Sequence, residues 1–129
     1  MTTLTAFDAA LSGLSITGVT RAYTYQALTV QTPDLPASFT RLPGAGIGYN
    51  QETCSGNSLS LELVVALEPL GQGTQSTNHS AVLTMIDNVK TALDTLYTAS
   101  LFTWSAAVAI ENIGEVSHWV IVISCELTE

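Results

Sequence analysis

Over residues 58–68 the chain alternates: Leu59, Leu61, Leu63, Val65 and Leu67 fall on one side of an extended backbone. That run predicts a strand with one face in the core. Pro69 and Gly71 stop it, and a polar stretch from Gln72 to Thr77 follows. From about Asn78 to Tyr97 the period changes. Val82, Met85, Ile86, Val89, Leu93, Leu96 and Tyr97 recur at helical spacing, with Asp87, Lys90 and Asp94 on the other side at ion-pair spacing. Ser76, Thr77 or Asn78 can cap this helix. Two apolar segments close the chain, Trp104–Ile110 and Val116–Leu127, and predict a hairpin turning at Asn112-Ile113-Gly114-Glu115. The last segment is apolar on both sides through its middle. That marks a central strand, or one covered on its second face by a partner.

The first half is less regular. Leu4, Phe7, Leu11 and Leu14 predict a short helix, capped by Thr2 or Thr3 and ended at Gly13 or Gly18. Residues 19–35 read as extended, and Pro33 and Pro36 exclude a central strand there. Ala37 to Leu42 predicts a strand stopped by Pro43. Residues 43–57 are a long Gly-rich connection, within which Ile47, Tyr49 and Gln51 suit a short edge strand. The sum is one α+β domain over residues 1–129. Its mainly antiparallel β-sheet is packed by one long amphipathic helix and a short N-terminal helix around a single core.

Composition changes the picture in one respect. Of 129 residues only 11% are charged while 47% are hydrophobic, so Ser, Thr, Asn and Gln replace the usual surface Lys and Glu. A neutral polar surface is readily desolvated, as a subunit interface requires. Net charge is −8, and the cations are Arg21, Arg41 and Lys90. Three scattered cations make no basic stripe, which argues against sequence-specific nucleic-acid binding, although DNA can pass an acidic surface without sticking. No apolar run is long enough to span a membrane, and the start lacks the basic and apolar regions of a signal peptide.

Candidate chemistry is sparse, and no cofactor is implied. His79, His118, Cys54 and Cys125 are the only residues of their types, and no motif links a thiol to an imidazole. Cys125 lies in the apolar run from Trp119 and reads as a buried small hydrophobe. The eleven acids are scattered singly, unlike a metal site. Gly44-Ala45-Gly46-Ile47-Gly48 lacks the Gly-Lys-Ser/Thr and following helix of a phosphate loop. Asn78-His79-Ser80 reads as a helix start rather than a glycosylation site, and Ser15 and Ser58 lack a nucleophile-elbow setting.

The order of these elements resembles that of the tail terminator (tail-completion) proteins of long-tailed, non-contractile bacteriophages. The matching pieces are Val19-Thr20-Arg21-Ala22-Tyr23-Thr24-Tyr25, Leu35-Pro36-Ala37-Ser38-Phe39, the strand Leu59–Leu67, the helix 78–97 and the hairpin to Leu127. The resemblance covers most of the chain, and it rests on order and texture rather than on a signature motif. It implies a non-enzymatic virion protein at the head-proximal end of the tail, made in the host cytoplasm. A homohexameric ring would cap the tail tube, halt polymerisation and receive the head, with tail-tube and head-completion proteins as partners. The family supplies no catalytic residues.

On that reading the two polar loops, Gly44–Gly56 and Pro69–Thr77, are the expected interfaces, with Gly46, Tyr49, Gln51, Gln72 and Gln75 as contact residues. Arg21 and Arg41 are candidates for pairing with acids of a neighbouring subunit, with a solvated Arg as the alternative. The competing readings are a head-completion, connector or other minor tail protein, the tail-tube subunit itself, and a small cytosolic α+β enzyme or ligand-binding domain. A tube subunit would polymerise on, whereas a terminator stops at one ring. An enzyme would show a concave pocket with a perturbed titratable group.

Overall fold

The computed structural model describes residues 3–27, 29–42, 49–52, 56–69, 75–96, 101–114 and 116–128. The chain is α+β. Its elements run α1 (Leu4–Ser12), β1 (Arg21–Ala22), β2 (Ala37–Arg41), β3 (Tyr49–Glu52), β4 (Gly56–Pro69), α2 (Gln75–Leu93), β5 (Leu101–Ile113) and β6 (Val116–Thr128). The six strands form one mixed sheet in the order β1-β2-β4-β6-β5, and β3 pairs with β4 off that path. Only β1 and β2 run parallel among these pairs.

Local sequence explains most element ends. The Thr3 hydroxyl accepts a hydrogen bond from the Ala6 amide at 3.1 Å, and the Gly13 amide donates to the Ala9 carbonyl at 3.0 Å, closing α1 at both ends. Gly18 turns the following connection at φ +93°, a conformation L side chains rarely adopt. Asn88 on α2 donates to the Thr17 carbonyl at 2.9 Å and ties this connection to the long helix. α2 begins three residues before the expected Asn78, so Ser76, Thr77 and Asn78 lie inside its first turns rather than ahead of it. Turn structure takes over at Asp94, before the expected end at Tyr97. The terminal hairpin is tighter than expected. Ile113 pairs with Val116, which shrinks the turn to two residues, with Gly114 at φ +67°.

The expected core face is observed. Leu59, Leu61, Leu63, Val65 and Leu67 join Ile121, Ile123, Cys125 and Leu127 on one side of the sheet, against Phe7 and Leu11 of α1 and Val82, Met85, Val89 and Leu93 of α2. The single core expected from the sequence is corrected by a second cluster on the opposite face. There Val64, Ala66 and Val120 pack with Tyr23, Ala27, Leu35, Ala37, Phe39 and Ile113. The physical reason is visible at Val64-Val65-Ala66, where strict alternation gives way to apolar residues on both sides of β4. β6 lies between β4 and β5 and contributes to both clusters, so its two apolar faces are covered within the chain.

The two pieces near residues 20 and 37 lie side by side. The Thr20 amide donates to the Pro36 carbonyl at 2.7 Å, and the Tyr23 amide to the Ser38 carbonyl at 2.7 Å. This strap covers one end of the second face. At the same end of β4, the ladder with β6 shifts register between Ala66 and Pro69. The irregularity frees the Leu67 carbonyl for the buried His118 ring, whose Nδ1 lies 3.0 Å away. A carbonyl only accepts, so Nδ1 carries the proton, and Nε2 has no hydrogen-bond partner.

Candidate subunit interface

Arg41 organises the most developed polar site among the described residues. It ends β2 opposite Glu62 of β4, and its Nε donates to Glu62 Oε1 at 2.8 Å. NH1 and NH2 donate to the two carboxylate oxygens of Glu111 at 2.8 and 3.1 Å, a bidentate pair. Glu111 belongs to β5, three strand spacings from β2, or about 14 Å across a flat sheet. In register it also lies beyond Ser105, the residue that aligns with Glu62 through Ser124. The contact therefore requires the sheet to coil until the hairpin end of β5 lies over the outer face of β2 and β4. The burial of Ile113 against Phe39 and Ala37 records the same curl. The Arg41, Glu62 and Glu111 side chains are 23%, 18% and 32% exposed. The hydrogen bond to Glu111 pushes the guanidinium pKa further up, and the same bond holds the Glu111 carboxyl below its ordinary value.

Arg21 sits on β1, 3.2 Å from Asp34, with its guanidinium 4.4 Å above the Tyr23 ring. The Tyr23 hydroxyl donates to the same carboxylate at 3.1 Å. Burial and that bond raise the phenol pKa. Both arginines offered as candidates for inter-subunit pairing thus pair with acids of their own chain. The acids that receive them, Asp34, Glu62 and Glu111, were not singled out from the sequence. Glu62 could have been found from the register of β2 on β4, whereas Glu111 becomes a partner only through the coil of the sheet.

The expected loop contacts separate. Tyr49 and Gln51 lie on β3, which pairs with the first residues of β4, and Gln75 is the first residue of α2. The ranges expected as loops are in part regular structure, because β3, Gly56, Pro69 and Gln75–Thr77 belong to strands or to the helix. Gly46 and Gln72 lie outside the described residues, as does Cys54. β3 therefore belongs to the sheet and Gln75 to the long helix.

The remaining chemistry is muted. The Cys125 thiol is buried and its pKa is pushed up to about 12 by desolvation. His79 is exposed on α2. Among the described residues no group of His, Cys, Asp and Glu could hold a metal ion, and no helix is long and apolar enough to cross a membrane. A hollow of about 410 Å³ lies on the outer face of the sheet, lined in part by Ser60, Glu62, Thr103, Ser105, Ser124 and Glu126. Comparison with known protein families and with curated proteins gives no match.

Proposed function

We propose that this chain is the tail terminator of a long-tailed, non-contractile bacteriophage. In this reading it is a structural virion protein without catalytic chemistry, and it closes as a homohexameric ring on the finished tail tube. One face of the ring binds the growing end of the tube in place of the next tube subunit. The other face offers no such surface, so polymerisation stops, and it receives the head-completion protein.

The observation that carries the reading is the succession of elements along the chain. A short helix, a paired extended segment with Leu35-Pro36-Ala37, a long strand, a second helix and a terminal hairpin follow one another around a mixed sheet. The scarcity of cations suits a ring through which DNA passes without being held.

Tail length, measured by electron microscopy in particles assembled without this chain, tests the proposal. Overlong headless tubes are expected. Tails of normal length lacking heads would move the chain to a later joining step, and normal infectious particles would remove it from the virion altogether.

A further inference from the structure

We infer that the hollow between α1, the strap and the end of β2 is a docking site for a basic side chain, a Lys or Arg presented by a partner protein. The inference goes beyond the terminator reading and does not rest on it.

The hollow has a volume of about 350 Å³, and its lining includes Leu4 and Asp8 of α1, Tyr25 of the strap, and Thr40, Arg41 and Leu42. Thr40 is buried, and its hydroxyl donates to the Asp8 carboxylate. That bond fixes α1 against β2 and holds the carboxylate at the wall of the hollow. Tyr25 and Leu42 are 59% and 58% exposed, so an aromatic ring and an aliphatic side chain stand in water beside the acid. Tyr23 backs the Tyr25 ring edge-on at a centroid distance of 5.5 Å, and Tyr23 is itself tied to Asp34 and lies under the Arg21 guanidinium. The aromatic wall is therefore in place before anything docks.

The electrostatics select a cation. Arg41 is bonded to Glu62 and Glu111, so with Asp8 three carboxylates stand against one guanidinium, a local charge of −2. The Nε, NH1 and NH2 groups of Arg41 each already donate to an acid, so an incoming anion would compete with two carboxylates for them. Among the described residues no Lys or Arg pairs with Asp8. The other two cations of the chain are held elsewhere, Arg21 by Asp34 and Lys90 by Asp94. A cation for Asp8 therefore comes from outside this acidic chain.

A Lys or Arg side chain matches the rest of the hollow as well as its charge. Its stem packs along Leu4 and Leu42 while its head reaches Asp8. The same head meets the Tyr25 ring, and the chain already holds one cation in that way, with the Arg21 guanidinium 4.4 Å from the Tyr23 centroid. A bare inorganic cation leaves the apolar wall unused. A neutral apolar group strips water from Asp8 and returns nothing to it. A single anchor of this kind is weak by itself and acts as one point within a larger protein surface.

Two-dimensional amide NMR of the whole chain tests the assignment with blocked amino acids as probes, the N-acetyl, N-methylamide forms of lysine, arginine, norleucine and glutamate. The lysine and arginine probes are expected to move the backbone signals of Asp8, Tyr25 and Leu42 together and to saturate in the millimolar range. Asp8→Asn keeps an oxygen for the Thr40 hydroxyl and removes the charge, so it should weaken both probes by about tenfold. Tyr25→Leu keeps an apolar wall and loses the ring, and should weaken them by about threefold. If circular dichroism shows Asp8→Asn unfolded, Tyr25→Leu carries the test alone. A norleucine probe that binds as well as the lysine probe makes the hollow an apolar site and overturns the proposal. A lysine titration unchanged by the variants, or shifts that spread evenly over distant acids such as Asp87 and Glu126, overturns it too. So does the absence of any localised shift. If spermidine saturates the site and the blocked amino acids do not, the occupant is a free polyamine, and the assignment to a protein side chain is overturned.

Discussion

Replacing Arg41 with Met removes the guanidinium while keeping most of the side-chain stem. Two carboxylates, those of Glu62 and Glu111, then lose three hydrogen bonds of 2.8, 2.8 and 3.1 Å in a site that is roughly one-quarter exposed. Exposed pairs are worth about 0–1 kcal/mol, and breaking a fully buried pair costs about 3–5 kcal/mol. The partial burial here places Arg41→Met between them, at about 2 kcal/mol of stability at neutral pH. The pH dependence follows from Glu111. Its folded pKa lies below the ordinary 4.5, so its contribution is complete above that value and is lost as the pH falls through the folded value. Urea unfolding should therefore show a gap between the two proteins that is widest near neutrality and narrows in acid. In a cycle with Glu111→Gln, the two substitutions together should cost less than the sum of the singles. A loss under about 0.5 kcal/mol near neutrality, within the range of ordinary surface substitutions, or a gap that does not change with acid, would refute the clasp.

Two further outcomes follow from the core. Phe7 is fully buried and meets the Phe102 ring edge-on at a centroid distance of 6.2 Å, so Phe7→Ala should destabilise the fold by about 3–5 kcal/mol in urea; a loss below about 1 kcal/mol would mean that α1 does not dock there. The Cys125 thiol, raised to about 12, remains protonated at about pH 8, so iodoacetamide followed by peptide mass mapping should label it only after unfolding.

The parts of the fold that were legible in the sequence are those set by period and by local chemistry. The helical spacing from Val82 to Leu93, the alternation from Leu59 to Leu67, the Thr3 cap and the short strand at Tyr49 all depend on neighbours within a few residues. Less legible was what depends on how elements meet. The second core needs the strap of residues 20–39 to cross the back of β4, and only the apolar pair Val64 and Ala66 hinted at it. Arg41 stood out as a scarce cation, but its partner Glu111 lies seventy residues away and reaches it through coil accumulated over three strand spacings. The start of α2 moved because polar residues such as Ser76 and Asn78 serve as caps or as first-turn residues, and sequence alone does not separate the two roles. The Gly-rich stretch around Gly46 and the residues near Gln72 were read as contact loops, and they lie outside the described residues.

The two clusters share their central strands. β4 sends Leu63 and Val65 to one and Val64 and Ala66 to the other, and β6 divides Ile121 and Val120 in the same way. Neither side can melt without stripping the backbone on which the other is built, so the chain should open as a single cooperative unit despite having two interiors. Amide exchange in the middle of β4 and β6 then requires global opening, while β1 and β3, each held along one side by a single neighbour, exchange through local fraying. An assembly built on such a subunit keeps a rigid centre while its margins remain free to adapt to whatever they meet.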